Sequence, residues 1–484
     1  MDFSRYAPPG VFTETLAGPV IGIQANTPSS VGIFGQARGY QTDVETVVVP
    51  TDFTATDLSV SPVNSQTLRQ FGIDPTSIVV SNVASGVVYT PQTVTSPPNG
   101  DYVIVSITGP SGSAPSFDTT YQIHRVIGST LAANTAVQIS YNYTNANYFQ
   151  PQRLYSFNDA VNLYGPPFDA SGNIISELTL ATNFAFINGA STVVTAAVPG
   201  SGQSSDYQSA LRTFEGVNDI AVVVCASGNS NLFPAVRDHV SLQSSQQNER
   251  RAILGTDGSS TAISSSSRIA AAQALQNSRV ALVSPSTVQY YNSTISQVQT
   301  IGSEFVAAGL AGLAVSLPPA QPLTRKQVLG FLSVDTAPEA QKSLETQGGL
   351  LVIDSNNSTS SLKVRHGVTT NPSTLITREW NILGQQDSMA YRLRSYFDAD
   401  GLIGSIISDI TLANVKASAE AALLALVTDG TIADYANLTV SQDPTFYDVI
   451  QISYSWKPAL PLNYIVVQFA LDVTNGTTTS NPTL

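Results

Sequence analysis

The chain has 484 residues, a formal net charge of −13, and only 11% charged residues against 42% apolar ones. That length exceeds the roughly 250–300 residues one hydrophobic core holds, so two or three domains are expected. The acid excess excludes a broad nucleic-acid or anionic-membrane footprint, and the single cysteine, Cys225, excludes an internal disulfide.

So low a charge content leaves a surface of Ser, Thr, Asn, Gln and Gly, which copies of one chain can bury against each other. The first residues include Asp2 and Arg5 and no apolar h-region, and no run reaches the roughly 18 apolar residues of a membrane span. A protein made in a reducing cytoplasm, without direct membrane insertion, is expected.

In chain order, Tyr6-Ala-Pro-Pro-Gly cannot nucleate a helix. The short apolar run Val11–Leu16 follows, isolated by Gly10 and by Gly18-Pro19. It reads as an extended arm over 1–25, and an isolated apolar strand must pair with something. Val20–Gln24 and Val31–Gly35 are two further short strands.

From 43 to 148 the chain is rich in Val, Thr, Ser and Pro, with turn clusters at Ser96–Asp101 and Gly109–Ser113. Alternating strands at Tyr102–Ile107, Tyr121–Ile127 and Ala136–Tyr143 predict an inserted all-β domain. Helical stretches then alternate with apolar strands from 149 to 370, the pattern of an α/β domain completed by 26–42. Its predicted helices are Phe157–Tyr164, Ile175–Ile187, Tyr207–Phe214, Leu232–Gln246, Ser264–Gln276, Ser303–Val315 and Pro338–Gln347. Its predicted strands are Thr192–Thr195, Ile220–Cys225, Arg250–Leu254, Arg279–Val283 and Leu350–Ile353, apolar enough to be covered on both faces.

Residues 371–484 predict a smaller α+β module. Thr374–Leu383 reads as a strand and Asp387–Ser408 as a helix interrupted near Asp400-Gly401. Leu412, Val415, Ala419, Leu423 and Leu426 recur at helical spacing, and Asp429-Gly430 ends that helix. Strands at Tyr447–Trp456 and Tyr464–Val473 close the chain, separated by the Pro-rich Lys457–Asn463.

Catalytic chemistry finds no footing in this pattern. A nucleophilic triad needs a histidine, and there are three. His124 lies in an alternating strand with no acid beside it. His239 follows Asp238 on a predicted helix, where adjacent residues point about 100° apart. His366 sits in the basic stretch Lys363-Val-Arg-His-Gly. Leu254-Gly-Thr-Asp-Gly lies between a strand and a helix but lacks the glycine and lysine spacing of a phosphate loop, so Asp257 reads as a helix cap. Asp398 and Asp400, without a ligand loop, face solvent or a basic neighbour. No catalytic, metal or cofactor-binding residue is expected.

Five segments in order resemble the contractile phage tail sheath family. They are Pro9-Gly-Val-Phe-Thr-Glu, Val31-Gly-Ile-Phe-Gly-Gln-Ala, Asn183-Phe-Ala-Phe-Ile-Asn-Gly-Ala, Val364-Arg-His-Gly-Val-Thr-Thr and Pro458-Ala-Leu-Pro-Leu-Asn-Tyr-Ile-Val-Val. The resemblance covers nearly all of the chain outside 43–148. It implies a multidomain α/β fold with a subtilisin-like core lacking the protease triad, an outward-facing inserted β domain and a C-terminal α+β domain that faces an inner tube. It implies stacked six-membered rings, a helical sheath around the tube, baseplate and tail terminator partners, and contraction that drives the tube through a host envelope.

The resemblance further implies that both terminal strands add to sheets of neighbouring subunits. The donors would be Val11, Phe12, Thr13, Glu14, Thr15 and Leu16, with Tyr464, Ile465, Val466, Val467, Phe469 and Leu471. The acceptor would lie around Val449, Gln451, Ser453 and Tyr454. Apart from the resemblance, the basic residues Arg392, Arg394 and Lys416 of this module read either as contacts to acidic groups on the tube or as solvated helix charges. Localisation to a virion tail assembled in the bacterial cytoplasm follows. The rival expectation is another self-assembling surface or capsid-associated subunit, which shares the polar composition but needs an export signal and no donor arms.

Overall fold

The computed structural model describes residues 28–37, 40–49, 66–68, 73–92, 100–108, 119–126, 129–144, 147–199, 203–256, 262–334, 337–355, 361–399 and 401–468. The arm Val11–Leu16 and the residues Asp257, Asp400, Phe469 and Leu471 lie outside them.

Strand β1 (Ser30–Gln36) is buried along its length and leads into a separate β unit. Here β2 (Tyr40–Val48), β3 (Gln66–Thr67), β4 (Val79–Asn82), β5 (Tyr102–Thr108), β6 (Thr119–Arg125) and β7 (Ala136–Thr144) form two three-stranded sheets, in the orders β2-β7-β4 and β3-β6-β5. Strict alternation in β7 sends Val137, Ile139 and Tyr141 inward to a core of their own with Ile73, Val80, Tyr89 and Tyr102. Asp101 ties the sheet ends together, accepting from the Thr90 backbone at 2.9 Å and the Thr130 hydroxyl at 2.7 Å.

The chain then alternates: β8 (Pro151–Leu154), α1 (Phe157–Tyr164), α2 (Glu177–Ile187), β9 (Val193–Val198), α3 (Ser204–Thr213), β10 (Ile220–Cys225), α4 (Phe233–Ser245), β11 (Arg251–Gly255), α5 (Ser265–Leu275) and β12 (Val280–Ser284). A hairpin, β13 (Thr287–Asn292) and β14 (Gln297–Gly302), precedes α6 (Ser303–Ser316). Then come β15 (Gln327–Val328), β16 (Ser333–Val334), α7 (Glu339–Gln347), β17 (Leu350–Ser355) and β18 (Leu362–Val364).

Nine strands form one sheet in the order β15-β18-β17-β12-β11-β10-β1-β9-β8. From β9 to β17 its neighbours run parallel, and antiparallel strands close both edges. Successive side chains go to opposite faces, so each strand feeds two cores. Val222, Val224 and Ile253 meet α2 and α6 on one face; Val223, Cys225 and Leu254 meet α3, α4 and α5 on the other. That two-sided burial explains the unbroken apolar runs. Helix α6 packs so closely on α2 that a Cβ at Gly312 would lie 2.1 Å from the Ala185 carbonyl oxygen.

The last module holds α8 (Leu375–Arg378), α9 (Trp380–Ala399), α10 (Asp409–Thr428) and an antiparallel pair, β19 (Ile432–Gln442) and β20 (Ile450–Pro458). Three expectations change here. Thr374–Leu383 is not a strand: Thr374 caps α8, its hydroxyl accepting from the Thr377 backbone at 3.2 Å. The following helix begins at Trp380 rather than Asp387 and ends at Ala399. Strand β19 has no counterpart in the sequence reading. A further correction falls in the α/β part, where Ser264, not Asp257, caps α5.

Candidate assembly surfaces

Helix α9 lies across the N-terminal ends of β11 and β12, held by buried charge. Glu249, Arg250 and Arg251 are consecutive, and all three are engaged. Glu249 pairs with Arg394 at 2.6 Å, with both side chains closed off from solvent. Asp387 accepts two bonds from Arg279, each 3.0 Å. Arg251 stacks 4.4 Å from the centre of the Trp380 ring and donates to the Trp380 carbonyl at 3.0 Å. Burial lowers Arg251 to about 10, with Asp387 opposing the fall, so the guanidinium stays charged at neutral pH. Arg250 turns the other way, to the carbonyls of Phe214 and Val217.

This arrangement corrects one expected tube contact. Arg394 is fully buried and cannot reach a partner's surface. Arg392 is a third exposed but bonded to Asp429, and Lys416 stands 3.9 Å from Glu420 one turn along α10. Each of these charges is matched within the chain.

The three histidines are structural in their contacts. His239 faces Arg250 at 3.1 Å, and burial, then the Arg250 charge, lowers it to about 3, so the ring is a neutral acceptor. His124 bonds Gln122 at 3.2 Å. His366 bonds Glu379 at 2.9 Å.

Glu379 belongs to the anchor of the C-terminal segment. Beyond β20, the Ala459 N–H donates to the Gln385 side-chain oxygen at 2.8 Å, and the Ala459 carbonyl accepts from the Gln385 amide at 2.9 Å. Asn463 donates to Glu379 Oε1 at 3.1 Å, and Tyr464 meets the His366 ring edge-on at 6.5 Å. Between this segment and α7 lies a groove of about 670 Å3. Past the anchor, Tyr464, Ile465, Val466 and Val467 are 73%, 77%, 64% and 75% exposed. The expected strand there makes no ladder within the chain over Tyr464–Gln468. Four consecutive large apolar residues in water are a standing cost of order 1.5–3 kcal/mol each relative to burial.

Beside the anchor, β19 and β20 pair only with each other among the described residues, so both outer edges present open backbone groups. Ile450, Ile452, Tyr454 and Trp456 point to the core shared with α9 and α10, and Gln451 and Ser453 face outward. Val449, expected in the acceptor, lies one residue before β20.

The buried charges of α9 were missed in the sequence. Asp387, Tyr391 and Arg394 recur every three or four residues, a spacing that reads equally as a solvated face.

Comparisons with known proteins agree with this architecture. No model of a known protein family matches the chain. The chain is 37% identical over 579 aligned residues to the tail sheath protein of Mycobacterium phage Bxz1, covering 99% of this chain and 98% of that protein. The helical sheath of the anti-feeding prophage in its contracted state superposes with a TM-score of 0.52 at 16% identity, over 67% of this chain and 88% of that one. The contracted PVC sheath of an extracellular contractile injection system gives 0.51 at 15% identity, over the same shares.

Proposed function

This chain belongs to the tail sheath protein family, and from that membership we propose how its geometry builds a contractile sheath. It is a structural protein of the virion tail, and its copies polymerise helically around the tail tube as stacked six-membered rings. The core is a subtilisin-like α/β domain formed by 26–42 and 149–370, without a catalytic role. The β unit at 43–148 lies on the outside, and the module at 371–484 faces the tube. Assembly proceeds in the host cytoplasm with baseplate and terminator proteins at the two ends.

One observation carries the reading: an anchored segment that ends in four exposed apolar residues stands beside a two-stranded sheet with open edges. Strand addition joins such parts directly, because backbone bonds supply affinity and alternation sets register. Residues Tyr464–Leu471 of one copy, and Val11–Leu16 of another, add to the β19–β20 pair of a third, next to Gln451 and Ser453. The Gly18-Pro19 hinge lets the bodies move while these ladders stay paired. Contraction is then a change between two packings of one linked lattice, which drives the tube through the host envelope.

Deleting residues 1–18 tests this. The shortened chain is expected to fold with unchanged circular dichroism and to form no tubes by negative-stain microscopy. Tubes of normal length from it would refute strand donation by the N-terminal arm.

A further inference from the structure

The groove between α7 and the C-terminal segment is basic, on a chain whose net charge is −13. It borders the β15–β18 edge of the large sheet. Val328, Leu362 and Val364 turn into the core, so alternation sends Gln327 and Lys363, opposite each other in register, to the other face. Arg365, two residues beyond Lys363, shares that face, and Arg325 lines the groove with it. The acids there are already taken. Asp354 holds Lys342 at 2.7 Å and stands 3.9 Å from Arg365, and Glu339 is bonded to Arg365. Among the described residues Arg325 and Lys363 pair with no carboxylate, and Arg325 acts on Glu339 only as a through-space charge. Arg325 is exposed. Its backbone sits at a φ of 64°, in the left-handed region, and its N–H donates to the Val364 carbonyl at 2.7 Å. Backbone strain of this kind collects where a side chain is used.

The opposite wall says which partner comes here. It is made by Leu462, Asn463, Tyr464 and Ile465, the start of the strand that this copy gives to its neighbour. The neighbour's acceptor pair is therefore brought to the mouth of the groove. Two donors share two open edges there, and the longer C-terminal strand fits β19, of 11 residues, over β20, of 9. Antiparallel pairing, the commoner kind, starts that strand beside Gln442, the last residue of β19, where the loop to β20 begins. That loop is preformed, so it loses little conformational freedom on docking. The Asp443 side chain accepts from the backbone of Thr445 at 2.7 Å and of Phe446 at 2.9 Å, and the Asp443 N–H donates to the Val449 carbonyl at 2.9 Å. The loop presents Tyr447, 74% exposed, and an exposed Asp448. Of the acids on the acceptor pair, Asp434 faces Lys457 at 3.5 Å and Asp443 is held within the loop. Asp448 alone has no side-chain partner among the described residues.

We infer that this groove receives the β19–β20 loop of the neighbouring copy, with Asp448 against Arg325 and Lys363 and with Tyr447 against Leu462. The inference rests on the strand exchange proposed above and adds an orientation to it. Each C-terminal strand runs antiparallel to β19, and its root is clamped by the loop at the end of the sheet it joins. Groove and loop are different surfaces, so the contact is head-to-tail and repeats along a helix without closing.

The test uses the full chain as Arg325→Glu, as Asp448→Arg and as both together, with assembly followed by sedimentation and negative-stain microscopy. Both side chains are exposed, so an unchanged melting temperature of the unassembled chain is the control for folding. Each single reversal sets like charges against each other in the interface. The expected result for either one is about a tenfold rise in the concentration at which tubes form, equivalent to about 1.4 kcal/mol. The double variant should recover most of that loss. Single variants that assemble as wild type does, or a double variant no better than the singles, would overturn the inference and leave strand exchange standing. Tubes absent from wild type under all conditions would overturn the sheath reading, and this contact with it.

Discussion

Arg394 on α9 places Nη2 2.6 Å from Oε2 of Glu249, two residues before β11, with neither side chain reaching solvent. With the Arg279–Asp387 pair at 3.0 Å, this contact fixes the C-terminal module against the sheet. Ion pairs closed off from solvent in this way are little screened by salt.

Removing one partner of a buried pair leaves an uncompensated charge and typically costs about 3–5 kcal/mol. Arg394→Met is therefore expected to lower the unfolding free energy of the monomer, read from its urea midpoint and m-value, by that magnitude. Replacing both partners, Arg394→Met with Glu249→Leu, should recover most of the loss. A single variant as stable as wild type would show that the pair contributes nothing.

Gly312 tests the packing of α6 on α2. An added methyl at 2.1 Å from the Ala185 carbonyl must push two buried helices apart, and overpacking of this kind costs about 1–3 kcal/mol. Gly312→Ala should lower the melting temperature, although alanine favours helix by about 1 kcal/mol over glycine. A raised melting temperature would mean that the helices separate freely.

Glu379 ties the C-terminal anchor to pH. Burial pulls its carboxyl upward, but hydrogen bonds and charge from His366 and Arg378 outweigh that and hold it below the usual carboxylate value of 4.5. A depressed folded value means stability that is present above the unfolded value and lost as pH falls through the folded one. The melting-temperature difference between wild type and Glu379→Gln should be full above pH 4.5 and shrink below it. Protease cleavage near Asn463 should rise over the same window. A difference independent of pH would remove the carboxylate charge from the account.

The parts legible in the sequence are those where one signal dominates. Ile220–Cys225 announces a covered strand, and the apolar Ser303–Ser316 a covered helix, because burial on every side leaves no competing pattern. Strand β19 was hidden by a register shift between Ala436 and Thr439, where Asn437 takes a φ of 59° and breaks the period of two. Thr374-Leu-Ile-Thr looks like strand by its β-branched residues, but the paired hydroxyls of Thr374 and Thr377 cap a helical turn instead. Arg392 and Arg394 illustrate the limit for the assembly surfaces. Two residues apart on a helix, they point about 200° apart, so one side reaches solvent while the other is sealed against Glu249 ahead of β11. Composition cannot tell them apart.

The measurement that bears most directly on strand exchange is negative-stain microscopy of the full chain beside a chain ending at Asn463. The truncation keeps the Ala459 and Asn463 anchors and removes the exposed Tyr464–Val467 segment with all that follows. The account predicts tubes from the full chain, and folded, unassembled subunits from the truncated one. Tubes of equal length and number from both would contradict it.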